Sequence, residues 1–178
     1  YGGANTQQDR LAKARSVFDS YLEHSFTPNV FFREVVDYHK NSETRTYSIR
    51  RQSEGVYAIL NYLDYEKKQG KKHSEWESKI KNILNNFLKL QKEDGSFPRK
   101  LDDSFKIADA SGGSTPSATL PLTMAYIYFK DKAYLESAKK TADYLETNLI
   151  SKADYFSSTL DANCEDKEAS LYASTAMY

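Results

Sequence analysis

The chain has 178 residues, enough for one domain with a sizeable core. Its 25 Lys and Arg balance its 25 Asp and Glu, and no basic stripe interleaves with aromatics, which argues against nucleic-acid binding. No apolar run reaches the length of a membrane span, no signal peptide is visible, and the one cysteine, Cys164, excludes an internal disulfide and a zinc cluster built from cysteines. Nothing in the residue pattern calls for a cofactor or a metal.

In chain order, Leu11, Ala14, Phe18 and Tyr21 are spaced three and four apart, which predicts a helix with a single apolar stripe and a solvated far side. The next helix is expected to begin in the run from Arg45 to Gly55 and to become apolar on every side through Val56, Ile59, Leu60 and Leu63, so it must be covered all round. A second striped helix follows at Trp76, Ile80, Ile83, Phe87 and Leu90. After it, Asp94-Gly95 predicts a tight turn and Phe97-Pro98 an extended stretch leading to Asp102 and Asp103.

Ser111 to Ser117 leads into a second wholly apolar helix, Ala118 to Phe129. Gly112 and Gly113 suit a turn there, Ser114 or Thr115 a cap, Pro116 the first turn, and Pro121 predicts a kink. A third stripe runs through Leu135, Ala138, Ala142, Leu145 and Leu149, and a third inner helix starts near Cys164 and runs through Ala169 to Met177. Ahead of that helix, Asn163 can cap while Glu165 and Asp166 complement the dipole. A buried structural role is the expected one for Cys164.

Glu54, Ser117 and Glu168 occupy comparable places near the inner-helix starts, about 50 to 60 residues apart, so the repeat unit is a helical hairpin. The predicted fold is all-α, one α/α-hairpin domain over residues 1–178 with about three hairpins, stacked as an α/α solenoid or as part of a closed α/α toroid. Because no Gly, Asn or Pro stop signal follows the last apolar run, the chain is expected to belong to a longer protein; a complete three-hairpin domain is the alternative. The 14 Tyr and 9 Phe are expected mostly to fill hairpin interfaces, with some rings free to line a cleft and stack on sugars.

The pattern Gln91-x-x-Asp94-Gly95-Ser96-Phe97 resembles the hairpin ends of α/α toroids, including terpene cyclases and six-hairpin glycosidases, and the implied role of Gln91, Asp94 and Phe97 is structural. Together with Ser111 to Ser117 and Asp161 to Ala169, residues 48–178 resemble bacterial six-hairpin glycosidase-like proteins associated with polysaccharide degradation. That resemblance implies a six-hairpin toroid, a carbohydrate substrate, a periplasmic or extracellular setting, and completion of the toroid by the rest of a longer chain.

Inner-helix starts in a toroid converge on one mouth, where carboxylates from different hairpins can face each other, and glycoside hydrolysis uses such a pair. The catalytic candidates are Glu54, Asp161 and Asp166; the substrate-binding candidates are Tyr47, Arg51, Gln52, Asp102 and Asp103. Asp102 and Asp103 also stand in the pool from which the carboxylate pair is drawn. An arginine such as Arg51 can hold a uronate or sulfate bidentately, or it can instead form a salt-bridged rim with neighbouring carboxylates. A polysaccharide lyase on the same scaffold would draw on Tyr47, His39 and Arg51. A non-catalytic glycan- or protein-binding scaffold is the third reading. His24 and His73 are expected to be solvated, and no Ser-His-acid arrangement supports a hydrolytic triad.

Overall fold

A computed structural model describes residues 6–111, 114–153 and 167–178, with side chains from residue 170 in the last stretch. The first helix, α1 (Gln7–His24), opens on a capping box. The Thr6 hydroxyl accepts from the Asp9 N–H at 3.2 Å and the Thr6 N–H donates to Asp9 at 3.0 Å. Only Leu22 of α1 is buried; Leu11, Phe18 and Tyr21 are half-buried and Ala14 is exposed, so the stripe is covered only in part.

Two short strands, β1 (Val36–Asp37) and β2 (Ser42–Glu43), form an antiparallel hairpin, and β3 (Thr46–Ser48) follows. The first inner helix, α2 (Ile49–Lys68), starts within the predicted run, with Thr46 to Ser48 drawn into a strand ahead of it and Ser48 as the N-cap. The outer helix α3 (Ser74–Leu90) buries Ile80, Ile83, Leu84 and Phe87, with Trp76 and Leu90 packed at the margins of the core. A second hairpin, β4 (Lys100–Asp102) and β5 (Ile107–Asp109), precedes α4 (Thr115–Phe129), then α5 (Lys132–Leu145) with a π-helical turn at Glu146–Ile150, and finally α6 (Lys167–Met177). α2 and α4 pack against each other as inner helices, α3 packs on α2 and α5 on α4, and α6 packs chiefly on α4. α1 is held to α2 through the Phe18–Tyr62 stack and the Arg15–Glu66 pair.

The inner row forms because α4 has no polar face: Ala118, Leu122, Ala125 and Tyr128 are buried, and α4 packs against α2, α5 and α6. Pro121 is buried within α4, and the helix continues through it. The α5 stripe is shifted from the predicted one: Tyr134, Ala138, Thr141, Leu145 and Leu149 are buried, while Leu135 and Ala142 are half-buried.

The turn after α3 is a structural joint. Asp94 Oδ1 accepts from the Ser96 N–H at 2.9 Å and its hydroxyl at 2.7 Å. Gln91 Nε2 donates to the Ser137 carbonyl at 2.9 Å, and Phe97 is buried beside Phe87. Gly95 takes φ +88°, and a Cβ there would stand 2.1 Å from the Lys140 carbonyl oxygen, so only glycine lets the turn lie on α5.

His73, expected in solvent, stacks on Trp76 at 4.0 Å and contacts Glu66 at 3.3 Å. Glu66, on α2, is 1 % exposed and also meets Arg15 of α1 at 3.0 Å and Lys71 at 3.2 Å. That buried cluster, with the Phe18–Tyr62 ring stack at 4.3 Å, fastens α1 to α2. Burial raises the Glu66 pKa, but Arg15, Lys71 and His73 together outweigh it and hold the carboxyl below its ordinary value.

Candidate functional site

The starts of α2 and α4 are brought together by a three-stranded antiparallel sheet, β3-β4-β5, in which Thr46 faces Asp102, Tyr47 faces Leu101 and Ser48 faces Lys100. The Ile49 N–H donates to the Arg99 carbonyl at 3.0 Å, continuing the ladder into the first turn of α2. Thr115 then ties the strand approach to α4, its hydroxyl accepting from the Phe97 N–H at 3.0 Å. A loop between the second outer and inner helices thereby lands on the start of the first inner helix.

This arrangement encloses a pocket of about 250 Å³ between Glu34, Ser48, Arg50, Arg51, Arg99 and Lys100, with Thr44, Thr46 and Ser114 at its edges. Each cation is placed by a different element: Arg50 and Arg51 by the first turn of α2, Arg99 by the segment leading into β4, Lys100 by β4 itself. Three carboxylates stand near them. Glu34 lies 3.5 Å from Arg51, Asp109 3.2 Å from Arg99, and Glu54 3.7 Å from Arg50. The Asp109 carboxyl is held below its usual range by the backbone and hydroxyl of Ser111, with Arg99 adding to the effect.

Glu34 is the residue that sequence reasoning missed. Its side chain is 6 % exposed, and it accepts from the Ser48 N–H at 2.5 Å and from Gln52 Nε2 at 3.2 Å. Burial pushes its pKa up, against the pull of Ser48, Gln52 and Arg51 in the other direction. No local motif marks Glu34, because its burial arises only when the segment around Phe32 folds onto α2.

The predicted residues separate into three groups. Arg51 lines the pocket. Glu54, one turn further along α2, accepts from the hydroxyl of Tyr172 on α6, so the first and third inner helices meet at the rim beside Arg50. Gln52, Tyr47, Asp102 and Asp103 are engaged internally. Gln52 is 1 % exposed; its Nε2 donates to the Phe32 carbonyl at 2.9 Å and its Oε1 accepts from the Phe32 N–H at 2.8 Å.

Tyr47 is buried, stacked on Phe31 at 4.3 Å, and its hydroxyl donates to Asp103 at 2.5 Å; burial, then Asp103, pushes the phenol well above its usual range. Asp102 closes the turn after β4, accepting from Ser104 N–H at 2.8 Å and Lys106 N–H at 3.0 Å. His39 occupies the exposed turn between β1 and β2, away from the pocket. Asp161, Asp166 and Cys164 lie outside the described residues.

Among solved structures, the chain is similar to cellobiose 2-epimerase from Bacillus thermoamylovorans, with a TM-score of 0.64 and 21 % identity over 80 % of this chain. That enzyme belongs to the six-hairpin glycosidase-like superfamily. The fold is that of an α/α toroid. The described hairpins correspond to part of one, since the match spans 36 % of the epimerase chain. No protein-family model matches the sequence, and no curated protein does. No helix among the described residues is long and apolar enough to cross a membrane.

Proposed function

We propose that the chain is part of a carbohydrate-active enzyme whose substrate sits where α2, α4 and α6 begin, and that the reaction is glycoside hydrolysis by paired carboxylates. The observation that carries this reading is the meeting of Tyr172 and Glu54 beside the pocket, which brings inner helices of the first and third hairpins to one rim. The likeness to an enzyme that acts on a sugar supports the substrate class. Glu54 is the carboxylate proposed from the first hairpin. Asp161 and Asp166, which precede α6 in the sequence, are the proposed partners.

A lyase acting through Tyr47 gains no support, since that hydroxyl is buried and donated to Asp103. The test is product analysis of the protein with defined oligosaccharides. Hydrolysis adds one water per cleavage and creates a new reducing end; elimination leaves an unsaturated sugar, and epimerisation leaves the mass unchanged. Either of the last two outcomes overturns the hydrolase reading while keeping the carbohydrate one, and binding without turnover makes the chain a scaffold.

A further inference from the structure

We infer that Glu34 is the proton donor to the glycosidic oxygen, acting from the wall of the pocket beside Ser48 and Arg51. This rests on the hydrolase reading above and adds the acid member of the pair; the ionised member is then drawn from Glu54, Asp161 and Asp166.

The backbone is held on either side of Glu34. The Arg33 N–H donates to the Ser25 carbonyl at 2.7 Å, and the Val35 carbonyl accepts from the Thr44 N–H at 3.0 Å. Gln52 grips Phe32 and also reaches Glu34 Oε1, which accepts from the Ser48 N–H as well. The side chain is thereby pinned against the start of α2, almost fully buried and yet part of the pocket lining. A catalytic group must keep one position, and supports from several segments give Glu34 that.

A neutral amide would serve the fold as well, since both donors to Oε1 need only an acceptor oxygen. The second oxygen is what distinguishes an acid. Oε2 meets Arg51 at 3.5 Å, beyond the roughly 2.7 to 2.9 Å of a tight charge-assisted bond. The other cations of the pocket have carboxylates of their own: Arg50 faces Glu54 at 3.7 Å, Arg99 faces Asp109 at 3.2 Å, and Lys100 stands opposite Asp109 across β4 and β5. Burial then outweighs Ser48, Gln52 and Arg51, so the Glu34 carboxyl keeps its proton to higher pH than an ordinary glutamate, as a general acid requires.

The step balances on one water. Glu34 passes its proton to the glycosidic oxygen as the bond from that oxygen to the anomeric carbon breaks, and the bonding pair leaves on the oxygen. The anomeric carbon gains the hydroxyl of the water, and the water's remaining proton returns the carboxyl pair to its starting charge.

The test compares the natural chain with Glu34→Gln on two probes, cellobiose and β-glucosyl fluoride, or on whichever oligosaccharide the product analysis finds cleaved and the glycosyl fluoride of its nonreducing sugar. Fluoride leaves without a proton, so Glu34→Gln should lose about a hundredfold or more of kcat on the oligosaccharide and little on the fluoride. In the natural chain kcat/KM should fall on the alkaline side for the oligosaccharide and not for the fluoride. Equal loss on both probes, or full activity on both, overturns the assignment and leaves the hydrolase reading intact. If Glu34→Gln does not fold, Glu34→Asp, which keeps an acid there, should move the alkaline fall for the oligosaccharide; a fall left in place overturns the assignment. Absence of hydrolysis of every pair by the natural chain overturns the hydrolase reading and the assignment with it.

Discussion

Gln52 and Gly95 show how single residues commit the chain to this geometry. Gln52 acts as an adhesive between α2 and the segment around Phe32, pairing the Phe32 N–H and carbonyl on the edge away from the antiparallel bridge to Phe26. Gln52→Ala should cost about 2 to 4 kcal/mol in a denaturant titration, because a buried N–H and a buried carbonyl lose their partners. A loss below about 0.5 kcal/mol combined with weakened sugar binding would return Gln52 to the substrate-binding role. Gly95→Ala should destabilise by at least about 2 kcal/mol, since the positive φ and the Lys140 carbonyl both oppose a Cβ. The turn chemistry of Asp94-Gly95 was legible because it depends on adjacent residues. The internal roles of Gln52 and Tyr47 were not, because their partners, Phe32 and Asp103, are 20 and 56 positions away.

At the scale of elements, the outer helices were read from their stripes, and α3 carries its predicted face in full. Phe87→Ala should cost about 3 to 5 kcal/mol, from lost transfer energy and the cavity left beside Phe97. A change below about 1 kcal/mol would contradict the packing of α3 on the inner row. The strands escaped notice for a physical reason: two- and three-residue segments carry no usable period, and β3 and β4 exist only because the two loops meet.

The clasp between α1 and α2 makes a pH prediction. Glu66 is held below its ordinary pKa, so its contribution is fully present above the unfolded value near 4.5 and is lost as pH falls through the lower folded value. The raised pKa of Glu34 acts with the opposite sign, so the comparison must be between the natural chain and Glu66→Gln. The stability advantage of the natural chain over that variant, read from urea midpoints, should shrink on acidification. An advantage independent of pH would mean that Glu66 is not ionised in the folded protein.

For the whole molecule, the alternation of striped and apolar helices recovered the order of outer and inner helices, but full cover was expected of every inner helix and only α4 comes close: α2 leaves Tyr57, Ala58 and Asn61 exposed and α6 leaves Leu171 exposed. The pocket was only half legible. Arg51 and Glu54 lie at a helix start that draws attention, whereas Glu34, Arg99 and Lys100 reach the same place through sheet register. Under the proposed function, Glu54→Gln should reduce hydrolysis by at least about a hundredfold with little change in melting temperature, as removal of a carboxylate acting as acid or base requires. Asp161→Asn should abolish hydrolysis or glycan binding with an almost unchanged melting temperature. Full activity in either variant removes that residue from the site, and a large loss of stability returns it to a structural role.

The most direct test of the proposed site is an amide and side-chain chemical-shift map of the full chain titrated with the oligosaccharide that binds best. Perturbations should cluster at Ser48 to Glu54, Arg99, Lys100, Ser114 and Tyr172, the groups that the sheet and the inner helices gather at one mouth. Perturbations confined to the exposed faces of α1, α3 and α5, with that cluster silent, would contradict the placement of the site.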